Sequence, residues 1–335
     1  MKPTIYDVAK AAGVSSATVS KVINHTGRIS EKTRDKIRTI MNEINYRPDV
    51  LASAMKGKCT YQIALLIPDM DNPIYAQYLK YIEDRGRELG FSVVMCSTDN
   101  DPDKEEQHIS LLRQKRVDGF IIASKFTNKE LLQELLADQV PVVLFAHERQ
   151  DVITDSVTVD DYLGGVLATE HLISHGHTRI GVIATDSISC WERIRGYESA
   201  ISNAGIKLDR ALVETIEGSK IDDAEKAALK MLKMNKNGVS AIFGCNDIMA
   251  IGVMQAAKKL GLSIPKDLSI IGFDNTELCK IVTPELTSIA MPINELGHKA
   301  MDMIVDKIDR SGNAKQKIKM LPELVVRNSV SQYGK

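Results

Sequence analysis

Two rhythms of hydrophobic and polar positions divide the chain. Through residues 4–46 the apolar positions recur at helical spacing. Ile5, Val8 and Ala9 share one face, Val19, Val22 and Ile23 a second, and Ile37, Ile40, Met41 and Ile44 a third. Thr4 with Asp7, Ser15 or Ser16, and Ser30 stand where three helices need N-caps. Gly13 falls where the first helix must end, a position that often takes positive φ. The spacing predicts two short helices around a tight turn and a third helix ending near Tyr46. Arg47-Pro48 breaks the pattern. A two-turn segment, Asp49–Met55, has helix-forming composition but is marginal alone in water, and Lys56-Gly57-Lys58 reads as a linker.

From residue 61 apolar runs of strand length alternate with amphipathic stretches. IALLIP (63–68), FSVVMCS (91–97), DGFIIAS (118–124) and PVVLFA (141–146) alternate with helices expected over 74–89, 104–115 and 129–137, and SVTVD (156–160) closes the series. A second series runs through helix 162–175, RIGVIA (179–184), helix 191–204, a strand near 213–216, helix 222–234, AIFGC (241–245), helix 247–260 and LSIIGF (268–273). Continuous apolar strands separated by helices imply parallel sheets covered on both faces. Two series imply two doubly wound α/β subdomains with a cleft between them, because ligands bind beyond the carboxyl ends of such strands.

Charge divides the chain at the same place. Residues 1–58 carry 11 Lys and Arg against 5 Asp and Glu, a net +6, while the remainder is −7. A basic head on an acidic body is the footprint of phosphate contact confined to one domain. It argues against reading residues 4–24 as an ordinary α-hairpin. The second helix carries Ser16, Ala17, Ser20 and Lys21 on its polar face, small and hydrogen-bonding groups suited to the major groove. The composition, 44% hydrophobic and 26% charged over 335 residues, is that of an ordinary multidomain protein. No stretch approaches the ~20 apolar residues of a membrane span. The polar N-terminus lacks an apolar signal region, so a cytoplasmic location is expected. Five scattered cysteines fit small core residues in a reducing compartment.

Polar groups recur at the strand ends of the body. Asp69 and Asp71-Asn72-Pro73-Ile74-Tyr75 follow the first strand and Ser124 the third. Arg193 lies in Arg-Ile-Arg-Gly-Tyr, Asn246-Asp247 follows AIFGC, and Asp274-Asn275 follows LSIIGF. An Arg facing carboxylates and amides suits a polar small ligand such as a sugar, sugar acid or purine. Asn246 also reads as a helix N-cap. His171, His175 and His177 invite a metal reading, but no carboxylate or Cys completes a set, and no cofactor is expected. The acidic run Asp101–Glu106 reads as a helix opening. No nucleophile elbow, Walker sequence or G-x-G-x-x-G is present, which weighs against an enzyme.

TIYDVAKAAGVSSATVSKVIN (4–24) resembles, without a gap, the headpiece signature of the LacI/GalR family of bacterial transcription regulators. The resemblance extends to about residue 330. It implies an all-α helix-turn-helix headpiece over 1–58 and a periplasmic-binding-protein-like body over 59–335. Chain crossovers near 160, 290 and 320 would then build one subdomain from about 61–160 and 292–320, the other from about 161–291 and 321–330. It implies DNA contacts from Thr4, Ser15, Ser16, Ala17, Thr18, Ser20, Lys21 and Asn24. It also implies a hinge helix at 49–56 that orders on operator DNA, with Met55 as the minor-groove wedge where the family usually has Leu. Met is a more flexible wedge. Asp49 and Ser53 depart from the family's preferred Asn and Arg, which points to a weaker hinge. The effector set implied is Asp69, Ile74, Tyr75, Ser124, Arg193, Asn246 and Asp274, with Arg193 and Asp274 in the family's R-x-x-G and G-[FY]-D-[ND] contexts. His171 and His177 look structural on the same grounds. Ala146 stands where the family often has Asp, with His147 next, so the resemblance carries no particular sugar with it.

The function expected is a dimeric, sequence-specific repressor of carbohydrate or related catabolic genes. It would bind a near-palindromic DNA operator and answer to a small-molecule effector, a sugar or sugar derivative, bound between the body subdomains. The competing expectations are a cytoplasmic enzyme with an appended DNA-binding domain and a regulator controlled by a protein corepressor.

Overall fold

In the computed structural model, residues 3–23, 27, 29–46, 59–149, 151–218, 220–234, 238–309 and 314–334 are described. They fall into two compact units, Met1–Thr60 and Tyr61–Lys335. Asn24, Met55 and the expected hinge helix lie outside the described residues.

The first unit holds α1 (Ile5–Ala12), α2 (Ser16–Ile23) and α3 (Glu31–Glu43). Val8, Ala9, Ala12, Val19, Val22 and Ile37 form its small core. The Asp7 carboxylate accepts from the Thr4 amide and hydroxyl, both at 2.7 Å, which fixes the start of α1. Gly13, at φ 67°, ends that helix in the left-handed conformation. Ser15 rather than Ser16 caps α2, its Oγ accepting from the Thr18 amide at 3.1 Å. Ser30 caps α3 through the Thr33 amide.

The second unit contains two six-stranded sheets. The first is built from β1 (Gln62–Ile67), β2 (Ser92–Ser97), β3 (Gly119–Ile122), β4 (Val142–Phe145), β5 (Asp155–Val159) and a strand from far along the chain. Its helices are α4 (Pro73–Leu89), α5 (Pro102–Gln114) and α6 (Lys129–Ala137). The chain then passes through α7 (Asp161–Ser174) into β6 (Ile180–Thr185), α8 (Ile188–Asn203), β7 (Val213–Ile216) and α9 (Ile221–Met234). There follow β8 (Ala241–Gly244), α10 (Asp247–Lys259), β9 (Ser269–Asp274), α11 (Leu278–Ile281) and β10 (Thr287–Ala290). It returns through α12 (Ile293–Asp309) to β11 (Lys317–Met320) and crosses again to β12 (Glu323–Val325).

The strand orders are β11-β5-β4-β3-β1-β2 and β12-β10-β9-β8-β6-β7. Every described pairing is parallel except β10 with β12, which is antiparallel. The central strands are buried from end to end, for example Ile63 to Ile67 of β1, which explains their unbroken apolar runs. Polar groups are therefore pushed to the strand ends.

Helices α7 and α8 pack backbone to backbone. A Cβ on Gly165 would lie 2.1 Å from the Arg193 carbonyl oxygen, and one on Gly196 would lie 2.1 Å from the Tyr162 carbonyl oxygen. Only glycine permits that approach, and it draws the first turns of α8 against the start of α7. The helix begins three residues earlier than the sequence pattern suggests, because Ser187 Oγ accepts from the Cys190 amide. Arg193 is thus a helical residue with a fixed direction.

Candidate functional site

The carboxyl ends of the two sets of strands face one another across a cleft of about 560 Å³. Asp69, Ile74, Tyr75, Arg193, Asn246 and Asp274 all line it. Ser124 does not. It is fully buried, and Ala123 takes the place at the wall. Side chains alternate along a strand, and Ser124 continues the parity of Phe120 and Ile122, which pack in the outer core cluster.

Arg193 organises the floor. Its Nε donates to Asp161 Oδ1 at 2.7 Å, one terminal nitrogen donates to the Cys245 carbonyl, and Asp274 Oδ1 lies 3.5 Å away. The guanidinium stacks 3.4 Å over the Phe273 ring. Burial works against its charge, but the carboxylates of Asp161 and Asp274 outweigh that and hold its pKa above the ordinary value. Asp161 is raised to about 6, by burial first, with Arg193 opposing. Burial raises Asp274 as well. Asp274 adopts φ 99°, a costly conformation for a non-glycine residue that places its carboxylate over Arg193.

On the opposite wall Asp69 Oδ1 accepts from the amides of Asp71 and Asn72 at 3.0 and 3.1 Å, and Asn72 caps α4 through the Ile74 amide. Tyr75 packs edge-on against Tyr78, which packs edge-on against Phe145. Asn246 both lines the cleft and caps α10, its Oδ1 accepting from the Met249 amide at 2.8 Å. Its neighbour Asp247 is structural: it is buried and accepts from the Thr276 amide, the Thr276 hydroxyl and the Ser288 hydroxyl. Two ion pairs bridge the walls, Lys125 to Asp186 at 3.1 Å and Lys220 to Asp71 at 3.8 Å.

Three participants escaped the sequence reading. Asp161 and Lys125 carried no local signal beyond their strand-end positions. His147 was visible only as the neighbour of Ala146. Ala146 sits at φ 61°, which turns the chain so that His147 lines the cleft. His171 and His175 stack at 4.5 Å, while His177 bonds to the Ser240 hydroxyl and the Ser331 carbonyl. No metal-binding cluster occurs among the described residues.

In the first unit Ser15, Ala17 and Lys21 are exposed, while Ser16, Thr18 and Ser20 are half-buried. Thr4 is exposed at the start of α1. Tyr6, 72% exposed on α1, adds an aromatic side chain that the hydrophobic pattern had no reason to single out.

A helix-turn-helix unit joined to a two-sheet body with a polar cleft at its strand ends defines a ligand-responsive DNA-binding regulator. Residues 4–49 match the model of bacterial regulatory proteins of the lacI family, and residues 169–330 match a periplasmic binding protein-like domain. The chain is 45% identical over 336 residues to the HTH-type transcriptional regulator DegA of Bacillus subtilis strain 168, covering 99% of both. The lac repressor dimer bound to operator and an anti-inducer superposes with a TM-score of 0.85 at 27% identity, covering 99% of this chain and 100% of that one. A transcriptional regulator CelR in complex with cellobiose gives 0.76 at 27% identity over 98% and 100%. The chain belongs to the LacI family and is a helix-turn-helix transcriptional regulator with an effector-binding body.

Proposed function

We propose that the protein is a homodimeric repressor, acting in the cytoplasm without catalysis, whose operator affinity is set by a sugar or sugar derivative in the body cleft. Residues 1–58, with a hinge helix at 49–56, form the DNA-binding part. Ser15, Ser16, Ala17, Thr18, Ser20, Lys21 and Asn24 read half of a near-palindromic operator, Thr4 contacts the backbone, and Met55 wedges the minor groove. Asp69, Ile74, Tyr75, Arg193, Asn246 and Asp274 hold the effector, and the strand exchange divides the body into about 61–160 with 292–320 and about 161–291 with 321–330. The cleft carries this reading: polar groups far apart in sequence line it together, around one buried arginine held by Asp161 and Asp274. A sugar complex of one relative and an operator complex of another support it.

Two measurements test it. Binding to an operator found by site selection should weaken steeply with salt, by about 0.9 in log–log slope per phosphate contact, giving several units for two headpieces. A flat dependence would sink the DNA assignment. Replacing Ser16 and Ala17 together should change the selected half-site, since a direct base contact is worth about 1–3 kcal/mol of discrimination.

A further inference from the structure

A second cavity, of about 790 Å³, lies beside the cleft where the chain passes between the two halves of the body. Tyr162 follows the passage out of β5, and Lys319 stands near the end of β11, before the last passage; both line the cavity. Lys125, His147 and Ile188 line both cavities and so partition them. Asp69, Tyr75, Arg193, Asn246 and Asp274 line only the cleft.

Aromatic rings make up one wall of this second cavity. Trp191 is 46% exposed and Tyr162 is 37% exposed. Lys125 Nζ lies 5.2 Å from the Trp191 ring centroid, and Arg195 Cζ lies 5.8 Å from that of Tyr162. The Tyr162 hydroxyl donates to Ser199 Oγ at 2.9 Å. Both rings are thus fixed in place while much of their surface stays bare. A concave site between two halves, with an apolar wall and a few polar groups, is the setting in which small molecules bind.

Charge narrows the occupant. Asp151 is shared by Arg149 and Lys129, Glu192 is held by Arg195, Asp161 by Arg193 and Glu148 by Lys317. Lys125 is held by Asp186. Among the described residues, Lys319 is the lining cation with no carboxylate at ion-pair distance. The cavity is left with one unanswered positive charge and a bare indole.

We propose that this cavity is a second ligand site, separate from the cleft, and that it takes a small aromatic carboxylate. The ring lies against Trp191 and the carboxylate answers Lys319. Lys319 belongs to one sheet and Trp191 to a helix of the other half, so the occupant touches both halves beside the strand exchange. An uncharged ring would leave Lys319 unanswered. A dianion such as a phosphate ester would exceed the one free cation and face the carboxylates of the lining.

Trp191 is the single tryptophan, so its fluorescence reports this cavity directly. The full chain is titrated with benzoate, phenylacetate and hydrocinnamate, exciting at the red edge of tryptophan absorption. Benzyl alcohol, cyclohexanecarboxylate and phenyl phosphate are the comparison probes. An aromatic carboxylate should give a saturable change and bind about fivefold more tightly than any comparison probe. The tightest carboxylate is then titrated by calorimetry into Trp191→Ala, Lys319→Met and Lys319→Arg, with circular dichroism and unliganded melting as folding controls. Trp191→Ala should weaken binding about tenfold and Lys319→Met about fivefold, while Lys319→Arg should bind like wild type. No saturable change with any of the carboxylates would overturn the site. A comparison probe binding as tightly as the best aromatic carboxylate would overturn the ligand class. Folded Trp191→Ala and Lys319→Met variants that both bind like wild type would place the ligand elsewhere and overturn the inference.

Discussion

At the scale of single residues, two buried groups pull stability in opposite directions with pH. The unfolded His147 takes a proton near 6.5, while in the fold it stays neutral down to about 4. Between those values the unfolded chain binds a proton that the fold refuses, so stability falls as pH falls. Asp161 does the reverse. Its folded value of about 6 lies above 3.8, so it costs stability as pH rises toward 6. Removing the His147 ionisation should expose the second effect. His147→Gln should lose up to about 2 kcal/mol less than wild type between pH 6.5 and pH 5, at 1.36 kcal/mol per pH unit. Urea unfolding followed by the fluorescence of Trp191, the single tryptophan, reads this directly from the body. Identical pH slopes would show that His147 titrates normally. Arg193 is a hub, because its removal leaves Asp161 and Asp274 buried without a counter-ion. Breaking such a pair costs about 3–5 kcal/mol, so Arg193→Ala should unsettle the fold as well as the ligand. Arg193→Lys keeps the charge but loses the planar fork over Phe273. It should melt near wild type and bind the effector about tenfold more weakly by calorimetry, the loss of one charge-assisted hydrogen bond. Much of this site was legible as strand-end position plus motif. Asp161 and His147 were not, because their importance comes from burial, tautomer and partners that no local pattern encodes.

At the scale of elements, the sequence pattern located the strands whose apolar runs are continuous and missed β10, where polar residues occupy buried positions. Thr287 and Ser288 of β10 are fully buried, beyond the last strand that the apolar runs marked, 268–273. Their polarity is spent on hydrogen bonds: the Ser288 hydroxyl donates to Asp247, and the Arg327 amide donates to the Thr287 hydroxyl. Caps were legible and mattered. Asp101 opens α5 as the acidic run suggested, accepting from the Asp103 amide. Glu105, from the same run, is fully buried and instead accepts from the amides of Thr127 and Asn128. The glycine contact between α7 and α8 is the element-level feature with the sharpest consequence. Gly196→Ala must push the helices apart, costing about 1–3 kcal/mol as overpacking does. Because the α8 backbone carries Arg193, effector affinity should fall with it. A urea midpoint and a calorimetric affinity both unchanged from wild type would contradict the packing.

At the scale of the whole body, the cleft is closed by weak links. The Lys125–Asp186 and Lys220–Asp71 pairs join the walls through partly exposed side chains, and pairs of this kind contribute about 0–1 kcal/mol each. They are clasps rather than struts. Lys125→Met combined with Lys220→Met should weaken effector binding by less than about thirtyfold, the most that two such pairs supply together. Most of that loss should lie in faster release, measured by stopped-flow, with melting of the unliganded protein nearly unchanged. No change in release rate would mean that the clasps do not hold the closed form.

The strand order of the two sheets also bears on synthesis. Residues 317–320 complete the edge of one sheet beside β5, and residues 323–325 complete the edge of the other beside β10. β5 is made about 160 residues before its partner, and β10 about 30 residues before its own. During translation, which proceeds at about 5–20 residues per second, the helical unit at residues 3–46 emerges with all of its core. One sheet is whole only once residue 320 has been added, and the other only at residue 325. For more than ten seconds each nascent chain therefore carries a finished reading head and an unfinished sensor.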